Sequence, residues 1–156
     1  MTLSTETTVT DKNLDAACTA ITTEIGRTDT KASLLLAFDG AVLAGLTSLA
    51  DKDLPRTAQL AGGAAAGALA AAAVLLLLVV RPDLGGRTPA VGSFSYWARL
   101  DVATIRASMG DDARGTRIKV LSTIAVAKYE RLTRAVNLIL IALVLLLAAA
   151  ALTVTG

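Results

Sequence analysis

The sequence predicts an all-α polytopic membrane protein: three transmembrane helices and a small cytoplasmic helical region. Three observations predict it. Apolar residues make up 54% of the 156, and they concentrate in three blocks, Ala32–Ala50, Ala58–Val80 and Ala135–Val154. Each block has about 20 residues, which at about 1.5 Å per residue spans a hydrocarbon layer about 30 Å thick. The runs "AAAVLLLLVV" and "LILIALVLLLAAAAL" are apolar on every face, and so short a chain has no interior large enough to bury them. Finally, thirteen basic residues lie in the N-terminal segment and the long second connection, against two, Lys52 and Arg56, in the short first connection. The positive-inside rule then places the N-terminus and the long connection in the cytoplasm. The short loop and the C-terminus are expected outside the inner membrane.

In chain order, residues 1–10 are Thr-rich and expected to be disordered. Thr10 suits the cap of a cytoplasmic helix over 11–30, with acids in its first turn favouring the dipole. Leu14, Cys18, Ile21 and Ile25 form one narrow apolar stripe along it, and Gly26 marks a possible bend. The first span, 31–50, contains Ser33, Ala37, Ala41 and Gly45 at four-residue spacing. An external loop covers 51–57. The second span, 58–80, repeats the pattern with Gly63, Gly67 and Ala71. Small residues let helices approach closely in lipid, so these stripes predict a tight hairpin between the two spans or a contact between protomers. Arg81-Pro82 closes the second span.

A cytoplasmic helical region is expected over 81–134. "PDLGGRTPAVGS" reads as a linker. A helix from near Ser93 places Phe94, Ala98, Val102, Ile105 and Met109 on one face, until "MGDDARG" breaks it. A last helix from near Ala113 meets no stop signal before the third span, 135–155, and is about 60 Å long if continuous. Its first half puts Ile118, Leu121, Ala125, Tyr129 and Leu132 on one stripe, with Arg117, Lys128 and Arg131 on the flank. Each apolar face needs a partner. A small helical bundle supplies one; so does a lipid surface, which the arginines also suit.

Chemistry is sparse. There is no histidine and one cysteine, Cys18, which excludes His-dependent triads, His metal sites, and disulfide or zinc frameworks within the chain. No Gly-rich phosphate loop is present, and no apolar leader segment opens the chain. The chain reads as a non-enzyme without cofactor or metal. Its unusual groups are acids at the membrane. Asp29 and Lys31 stand at the threshold of the first span; at i,i+2 they do not face each other, so Asp29 needs another base, with Lys128 and Arg131 the candidates. Asp39 lies inside the span, where a charged acid costs about 2.5–3.5 kcal/mol. It needs a partner, a water-filled path or another subunit. Otherwise it is neutral and bonded to a backbone carbonyl or a hydroxyl such as Thr47 of a neighbouring subunit.

Two stretches carry a resemblance. "RTDTKASLLLAFDGAVLAGL" resembles the start of the transmembrane effectors of the Pycsar antiphage system, with an acid and then lysine-alanine before the first membrane helix. "RIKVLSTIAVAKYERLTRAVNLILIALVLLL" resembles that family's last part, where a Lys-Tyr-basic patch precedes the closing membrane helix. "FSYW" and "GDD" between them also fit. Asp39 departs from the asparagine often found there. The resemblance implies that a partner nucleotide cyclase makes cUMP or cCMP on infection. The effector senses it on the cytoplasmic side, oligomerises or opens, and impairs the inner membrane, an abortive infection. No nucleic acid is expected among its partners. A cyclic nucleotide offers one phosphate and one flat base. Arginine forks suit the former and aromatic rings the latter, which makes Arg99, Arg106, Arg117, Lys128, Arg131, Tyr96, Trp97 and Tyr129 the candidate contacts. The alternative readings are a membrane scaffold or receptor subunit docking a cytoplasmic protein, and a small transporter subunit or holin-like lysis protein.

Overall fold

The computed structural model describes residues 2–48, 54–81, 93–108 and 110–155. The linker at 82–92, most of the first connection (49–53) and Met109 lie outside the described residues. Five helices follow one another: α1 (Thr2–Thr47), α2 (Arg56–Val80), α3 (Phe94–Trp97), α4 (Val102–Ser108) and α5 (Arg114–Thr155). Among the described residues there is no strand. Parts of α1, α2 and α5 are long and apolar enough to cross a membrane. The chain divides into two compact units, Met1–Arg27 with Pro82–Ala127, and Thr28–Arg81 with Lys128–Gly156.

The second, membrane unit is a three-helix arrangement. Its buried positions follow a seven-residue rhythm. On α2 they are Ala58, Ala65, Leu69, Ala72, Leu76 and Val79, and on α5 Lys128, Leu132, Ala135, Ile139 and Ala142. The inward line of α1 has the same 4-3 spacing: Thr28, Ala32, Leu35, Asp39, Val42 and Leu46, the first, second and fourth buried and the others half-buried. A 4-3 repeat is the seam of helices that cross at a shallow angle and interlock knobs into holes. α1 and α5 run parallel here: Asp29 meets Lys128 at one end, and Leu46 shares a cavity with Leu146 at the other. α2 runs the opposite way, its Leu78 carbonyl accepting a hydrogen bond from Arg131 at 3.4 Å. The outer faces are apolar as well, with Leu34 68% and Leu147 73% exposed. A surface of that kind suits lipid and not water.

The small-residue stripes do not make the expected hairpin contact. Ser33, Ala37, Ala41 and Gly45 on α1 and Gly63, Gly67 and Ala71 on α2 all face outward, and space above Gly45, Gly63 and Gly67 is open. A strict four-residue repeat drifts around the helix, whereas the packed line alternates three and four. Close approach is given instead by the seam alanines, Ala32, Ala65, Ala72, Ala135 and Ala142.

In the first unit no described residue is fully buried; Leu14, Cys18, Ile21 and Ile25 are half-buried. Two expectations are corrected here. α1 is helical from Thr2, not from Asp11, because extending a nucleated helix costs far less than starting one; it also continues without a break through Gly26. The helix expected from Ser93 to Met109 is two short ones. Asp101 takes the N–H of Thr104 at 2.9 Å and its hydroxyl at 2.8 Å, which caps α4 and ends the first turn early. Those two bonds hold the Asp101 carboxyl below its ordinary range, the backbone N–H contributing most. Ser93 caps α3 through its hydroxyl, 3.2 Å from the Tyr96 nitrogen.

Polar contacts hold this unit. Arg114 bonds Asp112 at 2.8 and 3.0 Å, Asp15 at 3.3 Å, and both the carboxylate and the backbone carbonyl of Asp11. Asp112 also accepts the Arg114 backbone N–H at 3.1 Å, capping α5.

Two outcomes are expected. Leu76→Ala opens a void in the seam and costs roughly 1–3 kcal/mol, the cavity part of a core truncation. Leu77→Ala on the outer face costs under about 0.5 kcal/mol. Unfolding in mixed detergent micelles checks both. The Asp112 carboxyl sits below its ordinary value of 3.8, chiefly through the Arg114 side chain. A lowered carboxylate contributes stability that is complete above the unfolded value and is lost as pH falls through the folded one. Acidification below about pH 4 therefore speeds amide exchange in residues 11–25 and 114–125, and Arg114→Met does the same at neutral pH.

Candidate functional site

The membrane unit places two acids on the inner line of α1 and treats them oppositely. Asp29 is partnered. The ammonium of Lys128 lies 2.5 Å from its carboxylate, so of the two bases in reach of the sequence reading it is Lys128 that makes the pair. The lysine side chain is only 10% exposed and the aspartate 35%. This reverses the order expected on α5. Lys128 turns inward, and Tyr129, assigned to the apolar stripe, is 39% exposed. The reason is that one inward helical position cannot hold both side chains. A lysine stem packs as a hydrocarbon while its head reaches an acid, whereas an unpaired Asp29 at that depth is costly. Thr28 is buried beside the pair, and Lys31 is exposed.

Asp39 is fully buried, and neither carboxylate oxygen has a hydrogen-bond partner. Thr47, the hydroxyl expected to reach it from a neighbouring subunit, donates within its own helix to the Ala44 carbonyl at 2.7 Å. An unsatisfied buried polar group costs about 1–3 kcal/mol even when neutral, and the charged form more. Nothing on the neighbouring seam, built of alanine, leucine and isoleucine, offsets that.

The candidate ligand contacts divide between the units. Tyr96 and Trp97 are half-buried on α3, while Arg99 and Arg106 are exposed around α4. Arg117 lines an open groove of about 440 Å³ with Arg114, Asp15, Cys18 and Thr22. Of the two arginines there, Arg114 is committed to three acids. Lys128, Tyr129 and Arg131 belong to the membrane unit, where Lys128 is held by Asp29. Sequence reading missed the Arg114 clasp. Its signal was present in Asp11 and Asp15, four apart on one helix face, and in Asp112 two residues before the arginine. Among the described residues no cluster of metal-ligating side chains occurs.

Three apolar helices around a polar threshold pair and a buried acid define a multi-pass helical membrane protein. The profile of the Pycsar effector protein domain matches residues 13–155, nearly the whole chain. The chain therefore belongs to the Pycsar effector family and is an antiphage defence effector; the family is not known as enzymatic, and membership implies pairing with a cyclase and a cyclic nucleotide signal. No curated protein and no solved structure matches the chain.

The Asp29–Lys128 pair is expected to show in a double-mutant cycle. Asp29→Asn and Lys128→Gln each destabilise the membrane unit by roughly 1–2 kcal/mol, allowing for the exposed part of the carboxylate. The double variant loses less than the sum. Strict additivity shows that the two do not interact.

Proposed function

We propose that this effector senses a cyclic pyrimidine nucleotide, cUMP or cCMP, on the cytoplasmic side of the inner membrane and responds by making that membrane leaky, which ends the infected cell. The observation that carries this is the family match over residues 13–155, together with three helices able to cross a bilayer. The N-terminus and the basic second connection face the cytoplasm, and the C-terminus faces outward, because thirteen of the fifteen basic residues fall on one side. Arg99, Arg106 and Arg117, with Tyr96 and Trp97, form the pool from which the phosphate and base contacts come. All lie in a unit without a fully buried described residue, and regions of low packing are those that rearrange at small cost. Ligand acts by binding the open state better than the closed one. The chain works as a homo-oligomer, with the outward small-residue stripes of α1 and α2 as the contact between copies.

The test is direct. Purified full-length protein titrated with the four cyclic mononucleotides binds cUMP or cCMP in preference to the purine forms. Reconstituted in vesicles, it releases a trapped dye when that nucleotide is added on the cytoplasmic side. Protein that binds neither nucleotide and leaves vesicles sealed refutes the reading. Asp39→Leu is expected to abolish release while nucleotide binding stays within about twofold, a change of about 0.4 kcal/mol; unchanged release removes Asp39 from the mechanism.

A further inference from the structure

Three features of the membrane unit lie along one interhelical seam. At one end Lys128 is held by Asp29. Asp39 follows ten residues later on α1, about 15 Å along the helix. Seven residues beyond it Leu46, about 10 Å further, lines a cavity of about 540 Å³ that also involves Gly62, Ala66, Leu146 and Ala150. That end of the seam is open because glycine and alanine face each other there, and its wall includes the polar Gln59 and Thr153. The volume is large enough for several waters at about 30 Å³ each, with Gln59 and Thr153 the polar side chains in a mostly apolar wall. On α1 only the layer of Val42 and Leu43 separates the cavity from Asp39.

Asp39 has two buried oxygens without a partner, and water or a cation satisfies both. No other Asp, Glu, Lys or Arg occurs in 32–47, 57–80 or 135–155. Between the Asp29–Lys128 pair and the cavity, a hydrated path along this seam therefore passes a charge of a single sign, and acidic side chains facing a narrow path favour cations.

We propose that ions cross through the seam between α1, α2 and α5, from the cavity past Asp39, and that the Asp39 carboxylate makes the path cation-selective. This rests on the effector reading above. The Asp29–Lys128 pair closes the other end and parts when the path opens.

The experiment is the reversal potential of the full-length protein in planar bilayers under a KCl gradient, with cUMP and cCMP each added to the cytoplasmic side. Wild type is expected to pass K⁺ at least about tenfold better than Cl⁻, and Asp39→Asn, nearly the same shape without the charge, to bring that ratio down to about one to three, while nucleotide binding is unchanged. Current without cation preference, or a preference unaltered by Asp39→Asn, overturns this inference and leaves the effector reading standing. A wild-type bilayer silent with both nucleotides, with no dye release either, overturns both. If Asp39→Asn does not assemble, Leu35→Cys, half-buried on the inner line of α1 between Asp29 and Asp39, in a Cys18→Ser background decides: labelling by a charged thiosulfonate only when nucleotide is present supports the path, and labelling unchanged by nucleotide overturns it.

Discussion

In hydrocarbon an apolar side chain gains nothing by leaving lipid for another leucine, so the membrane unit is held together by how closely its helices approach. This constraint explains why its seams alternate alanine with larger residues. Ala65, Ala72, Ala135 and Ala142 let the backbones draw near, and Leu69, Leu76, Leu132 and Ile139 fill what remains. Dispersion contacts are individually tiny but numerous at such distances. The outer leucines make the same contacts with lipid chains and so do not decide the arrangement. A seven-residue rhythm keeps each seam facing its neighbours over several turns, which a four-residue rhythm does not.

The polar exceptions to that rule are informative because each is expensive. Thr28, Asp39 and Lys128 are the buried polar groups among the described residues. Lys128 and Asp29 answer one another, and their pairing fixes the register of α1 against α5: a shift of one turn separates the charges by about 5 Å. Asp39 has no such answer among the described residues. A group that destabilises the packed state lowers the cost of leaving it, which suits the membrane-opening role proposed above. The two acids thus act in opposite senses on the same helix, one holding the packed arrangement and the other working against it.

The first unit is built by different means. It lacks fully buried described residues, and its order comes from caps and charge: Ser93 on α3, Asp101 on α4, Asp112 on α5, and Arg114 reaching Asp11 and Asp15 across 103 and 99 residues of chain. An arginine shared by three carboxylates is directional, screened by salt and sensitive to acid, whereas apolar packing is none of these. Such a unit responds to an added charged ligand more readily than a dry core does.

The sequence by itself determined the three spans, since twenty apolar residues without a polar face have no other place to go, and it determined the last helix from near Ala113, since no proline or glycine cap interrupts it. The need of Asp29 for a base and the family's motifs were also legible. Composition did not reveal which residues face inward. Tyr129 and Lys128 are neighbours with comparable claims on an interior position, and only the position of Asp29 on another helix decided for the lysine. The glycine stripes looked like contacts because spacing along one helix says nothing about the neighbour's location. The split at Asp101 went unseen because a side chain competing for a backbone N–H is a local event hidden within a helical pattern. That Asp39 lies in the seam without a partner, close to a cavity, is likewise a property of three helices taken together: whether a buried carboxylate is satisfied depends on atoms far from it in the chain.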